Sequence, residues 1–188
     1  MPYSREIIRA VHRRLAQVSI GASTLRNQGG PGMIEICRNY LYQEIHLEQF
    51  FLRLHSKTKF NNFLNLHTER LVEAFNLGDN LEGWGAARKA LNLFFRELVY
   101  NKILCDHFHM PKNVKSYDLL ITYLEIPLDR HVAEGVYGEF TGTLPKWQSI
   151  KMLRPDVSEV YQQAANLVAQ RKGIPRIHLD LLYWRPIE

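Results

Sequence analysis

Cysteine is nearly missing: Cys37 and Cys105 are the only two in 188 residues. Two thiols are too few for a disulfide framework, a four-cysteine zinc site or an iron–sulfur cluster, and buried free thiols are the expected state. Long apolar runs are missing too. None approaches the roughly 20 residues of a membrane-spanning helix. The opening Met1-Pro2-Tyr3-Ser4-Arg5-Glu6 has no signal-peptide core, so a cytoplasmic protein without a membrane partner is expected. Neither the period-two alternation of strands nor an internal repeat occurs. Hydrophobic residues make up 46% of the chain, too many for a disordered protein. These absences leave an all-α globular protein of one domain.

What is present is a basic excess, +5 overall, concentrated at the start. Arg5, Arg9, Arg13, Arg14 and Arg26 face only Glu6 in the first thirty residues. Such a balance favours polyanions, through binding that weakens steeply with salt. Ile7, Ile8, Val11, Leu15 and Val18 recur at helical spacing opposite the arginines, which predicts a helix over 5–17 with Ser4 as its N-cap. Residues 19–32, with five glycines and prolines among them, read as a loop whose tip is Thr24-Leu25-Arg26-Asn27-Gln28. It is either a plain connector or a loop pressed against nucleic acid. Helical patterns follow from Met33, Leu47, Lys59, Ala86, Tyr117, Asp129, Trp147 and Ser158. Gly173 closes one helix and Pro175 opens the last. Asp106, His107 and His109 lack a committed metal-ligand spacing.

Three stretches carry chemistry. The first is Gly83-Trp84-Gly85-Ala86-Ala87-Arg88-Lys89. Two glycines one residue apart suit a tight turn. The free N–H groups of a helix opening at Ala86 favour an anion, with Arg88 and Lys89 in its first turn. An ordinary interhelical loop with a solvated basic end has the same sequence. The second is Ile126-Pro127-Leu128-Asp129-Arg130-His131, where Pro127 ends what precedes it and Asp129 stands at a helix start. The third is Gly173-Ile174-Pro175, then His178-Leu179-Asp180 and Trp184.

Taken together, in this order, the three stretches resemble the helix–hairpin–helix DNA glycosylase superfamily, and most of all its archaeal-type 8-oxoguanine DNA glycosylase/AP lyases. The resemblance covers about 81–184. Lys89 stands four residues beyond Gly85, against two in the commonest hairpin. Trp84 replaces a small aliphatic residue, and the segment from Lys89 to Asp129 is longer than usual. The resemblance implies a single glycosylase-like domain over 1–188. Its hairpin would span about 71–104, and two helical lobes, 33–125 and 1–32 with 126–188, would flank a cleft. It implies a monomer that binds damaged double-stranded DNA, nucleoid-associated if prokaryotic, with neither metal nor cofactor.

Roles follow from the same resemblance. Gly83, Gly85, Ala86 and Arg88 would hold the DNA backbone. Lys89 would attack C1′ of a flipped nucleotide and form a Schiff base, which requires a free amine. Asp129 would help deprotonate Lys89 or stabilise charge growing on the sugar, and could cap its helix as well. Asp180 would accept the N7–H that distinguishes 8-oxoguanine from guanine. Trp184 would line the base pocket, with Gln28, and more weakly Trp147 and Phe140, contacting bases. Two other classes stay open: a non-catalytic helix–hairpin–helix DNA-binding module, and a helical protein-interaction domain.

Overall fold

A computed structural model describes residues 3–21, 24–25, 32–77 and 83–183. Gln28, Trp184 and the turn at 78–82 lie outside the described residues.

Among the described residues the regular structure is entirely helical. The order is α1 (Arg5–Ser19), α2 (Met33–Gln43), α3 (Leu47–Arg53), α4 (Lys57–Phe75), α5 (Trp84–Tyr100), α6 (Lys102–His107), α7 (Val114–Ile121), α8 (Arg130–Glu139) and α9 (Pro155–Lys172). A 3-10 turn (Arg176–His178) and α10 (Leu179–Tyr183) follow. Side-chain caps start many of them. Ser4 Oγ accepts from the Ile7 amide at 3.3 Å, Asn101 Oδ1 from Leu104 at 3.1 Å and Asn113 Oδ1 from Ser116 at 2.8 Å. Each satisfies a donor that a helix start leaves free. Gly173, at φ +68°, closes α9 as its position predicts. Two expected elements differ. Residues 147–153 form no helix, only a bend and turn at 150–152, and Pro175 opens a 3-10 turn before α10 begins at Leu179.

The centre of the molecule is α5. Twelve of its residues are buried, Arg88, Lys89 and Asn92 among them, so it is enclosed nearly all round. Phe94 and Phe95 are fully buried with Phe50 and Phe60, and the Phe50 and Phe95 rings lie 4.7 Å apart. Burying each such ring stabilises the fold by about 1.5–3 kcal/mol. That packing holds in place the polar residues which the helix also carries inward.

Two hydrophobic clusters result. One is built from α1–α7 and closed by Ile177; the other comprises residues between Ile126 and Leu179. Trp84 packs against both. Helix α1 belongs to the first cluster through Ile8, Leu15, Ala16 and Ile20. The expected grouping places 1–32 with 126–188, whereas α1 packs its buried side chains in the first cluster. Its apolar face has the aromatic wall of α5 to pack on.

Candidate active site

Lys89 lies in the second turn of α5, because the helix begins at Trp84 rather than Ala86. Its neighbours explain where it points. On one side Arg88 is drawn inward by Glu125. Nε and Nη2 donate to the two carboxylate oxygens at 2.8 Å each, and Nη1 donates to Asn65 Oδ1 at 2.8 Å and Thr68 Oγ1 at 3.0 Å. The guanidinium also lies 5.5 Å from the Trp84 ring centroid, within cation–π range. Burial would raise the pKa of Glu125, but the Arg88 charge and hydrogen bonds, aided by Arg176 and Asn92, hold it below the usual carboxylate value.

Glu125 begins an extended segment that ends at Asp129, and its course is fixed twice more. Gln162 of α9 pairs with both backbone groups of Ile126. Its Oε1 accepts from the amide at 3.0 Å, and its Nε2 donates to the carbonyl at 2.8 Å. Arg176 donates to the carbonyls of Leu124, at 2.8 Å, and Tyr123, at 3.2 Å. Asp129 then uses both carboxylate oxygens. Oδ1 accepts from the Val132 amide at 3.1 Å and caps α8; Oδ2 lies 3.2 Å from Lys89 Nζ. The two side chains retain only 7% and 13% of their accessible surface.

The pair opens on a cleft of about 460 Å³. Helix α5 contributes Lys89, Leu93, Arg96 and Glu97; α1 contributes Val18 and Ser19; the start of α8 contributes Asp129 and His131; Asp180 completes it. Asp180 is 2% exposed and ion-paired with Arg96, which also holds Glu97 at 2.6 Å. It is thus an enclosed carboxylate rather than a solvated residue at a helix start. A carboxylate has about four lone-pair positions, so one ion pair leaves it acceptor capacity. Helix α10, which carries it, docks closely on α8. A Cβ on Gly135 would collide with the Tyr183 ring, whose hydroxyl donates to Glu139 at 3.0 Å.

Lys89, Asp129 and Asp180 are therefore brought to one cleft, from positions 40 and 51 residues apart in sequence. The four residues expected to hold a DNA backbone are not at a surface. Gly83, Gly85, Ala86 and Arg88 are all buried. Gly85 is within the helix, and a Cβ there would collide with the Ile150 carbonyl oxygen and meet Leu153 Cβ at 2.8 Å. Gly85 serves close packing of Ile150 and Leu153 against α5, and Gly83, at φ +88°, is the N-cap. Arg88, its donors taken up by Glu125, Asn65 and Thr68, is a structural tie. Trp147 and Phe140 do not line the Lys89 cleft; Trp147 stands edge-on to Tyr161 at 5.6 Å beside a separate cavity.

Sequence reasoning missed Glu125, Gln162, Arg176 and Arg96, which position the site. Glu125 sits next to one of the stretches it singled out, and Arg176 lies within another. Nothing in the sequence distinguishes Gln162. Among the described residues no three His, Cys, Asp or Glu side chains are grouped to hold a metal ion, and no helix is long and apolar enough to cross a membrane. Comparison with known proteins finds no matching family model, no similar curated protein and no similar solved structure.

Proposed function

We propose that this protein is a DNA N-glycosylase with AP lyase activity, acting on an oxidised purine, with 8-oxoguanine favoured. The observation that carries this reading is the approach of Lys89 Nζ to Asp129 Oδ2, 3.2 Å, at the wall of a cleft that also holds Asp180. A glycosylase must extrude its target nucleotide to reach C1′. In the cleft, Asp129 accepts a proton from Lys89. The freed amine attacks C1′, the bond from C1′ to the base nitrogen breaks, and the base leaves with the proton that Asp129 took up. The sugar ring opens to an imine on Lys89. Loss of a C2′ proton then expels the 3′ phosphate by β-elimination. Asp180, held by Arg96, would accept N7–H of 8-oxoguanine, where guanine has a lone pair. The two hydrophobic clusters, joined at Trp84, would serve as the two lobes of a helix–hairpin–helix glycosylase.

The near-complete burial of the Lys89–Asp129 pair favours a second reading, in which it is a structural tie inside a non-catalytic DNA-binding module. Borohydride separates the two. Duplexes containing 8-oxoguanine or an abasic site, incubated with the protein and reductant, should yield a covalent adduct that Lys89→Ala abolishes. If the wild-type protein forms no adduct on any lesion or abasic substrate, the lyase reading is lost and the module remains.

A further inference from the structure

With Arg88 and the start of α5 enclosed, a grip on DNA has to come from elsewhere. We propose that the exposed face of α1 and the groove between α1 and α2 bind the sugar-phosphate backbone of duplex DNA. The groove holds Arg5, Arg9, Arg13 and Arg14 together with Gln17 and Tyr42, over about 500 Å³. All four arginines are exposed. None has an ion-pair or hydrogen-bond partner among the described residues, whereas Arg88 and Arg96 are both spoken for.

Arg5, Arg9 and Arg13 are spaced four apart and so stand on one face of the helix. Each step advances about 6 Å along the axis, on the scale of the step between neighbouring phosphates of one strand. A second hollow continues the groove past Arg13 to Arg38 and Asn39. Two acids line this surface, Glu6 and Glu35, and Glu35 faces Arg38 at 3.9 Å. The balance is strongly cationic.

Two features direct the choice of partner. The apolar side of α1, Ile8, Leu15 and Ala16, is used up in the core. Of the large apolar side chains of α1 only Ile7 and Val18, near its two ends, are exposed, too little apolar surface to sink into a lipid surface as an interfacial helix would need. The last turn of the same helix, Val18 and Ser19, lines the Lys89–Asp129 cleft, so the arginine surface and the proposed site share one element. Arginine forks suit phosphate oxygens, and such contacts position DNA without reading its sequence.

The surface deepens the glycosylase reading but does not need its chemistry. Fluorescence anisotropy with a short undamaged duplex, across a range of salt, tests it. The slope of log affinity against log salt should fall by about 0.9 for each phosphate that the protein ceases to neutralise. Arg5→Gln/Arg9→Gln/Arg13→Gln should thus flatten it by about 2.7, and the matching lysine triple should restore most of it. An unchanged slope in the glutamine triple, or no recovery with lysine, overturns the proposal. So does a glutamine triple that no longer binds phosphatidylserine vesicles and keeps its grip on DNA. A flattened slope in a protein that forms no borohydride adduct keeps the groove and removes the chemistry; an adduct with an unchanged slope does the reverse.

Discussion

A carboxylate with two oxygens can hold two things at once, and Asp129 does: an amide in the first turn of a helix and the lysine ammonium. Each use restricts the other's freedom, so the oxygen facing Lys89 is fixed by the fold rather than by substrate. Asp180 is held just as firmly, by Arg96, and this makes its proposed role separable from that of Lys89. Asp180→Asn keeps the volume and removes the charge. It should slow excision of 8-oxoguanine by about 10- to 100-fold, the worth of one hydrogen bond to a charged group, and leave cleavage of a preformed abasic site much less affected. Single-turnover assays on the two substrates measure the split. Equal losses would leave Asp180 only as the counterion of Arg96.

Among the elements, α5 determines the most, and Gly85 is its most sensitive position. Alanine there would press on the Ile150 carbonyl and Leu153. Overpacking of this kind costs about 1–3 kcal/mol, and Tm should fall by about 2–4 °C for each kcal/mol in a chain of this size. Thermal denaturation of Gly85→Ala reads this directly, and an unshifted Tm would mean that the neighbouring segment yields freely. The contrast between this glycine and helices α1 and α9 shows what the sequence could disclose. Periodicity gave away α1, whose buried Ile8, Leu15 and Ala16 repeat on one side, and Gly173 marked the end of α9. Those signals are local. Whether Gly85 turns a loop or admits a neighbouring backbone depends on Ile150, 65 residues later. Arg88 and Glu125, or Arg96 and Asp180, are likewise partners across 37 and 84 residues, with no period to connect them. The Lys89–Asp129–Asp180 grouping was legible only because three motifs occur in a family-like order; the residues that position it carry no such mark.

For the molecule as a whole, acid is the expected weakness. Burial lowers the pKa of His67 from 6.5 to about 4 and lowers that of His12 as well. Between those values the unfolded chain binds protons that the native state refuses. Stability is therefore complete above about 6.5 and falls as pH drops toward 4. Glu125 acts next: its lowered pKa adds stability that is present above its ordinary 4.5 and is lost on further acidification. Tm followed by calorimetry should be level near neutrality and decline from about pH 6.5 downward. The decline should be shallower in His67→Gln, which removes the titration and leaves Tyr40, 2.8 Å from His67 Nδ1, a hydrogen-bonding neighbour. A wild-type Tm constant from neutrality down to about pH 4 would contradict this.

The amide of Gln162 does for Ile126 what an adjoining strand would do in a sheet, and it does so from the middle of α9. The short stretch that delivers Asp129 is therefore not an independent loop. Whatever unwinds α9, by heat, by truncation or by a partner, releases the acid from the lysine in the same event, so the proposed chemistry would vanish before the larger hydrophobic cluster melts.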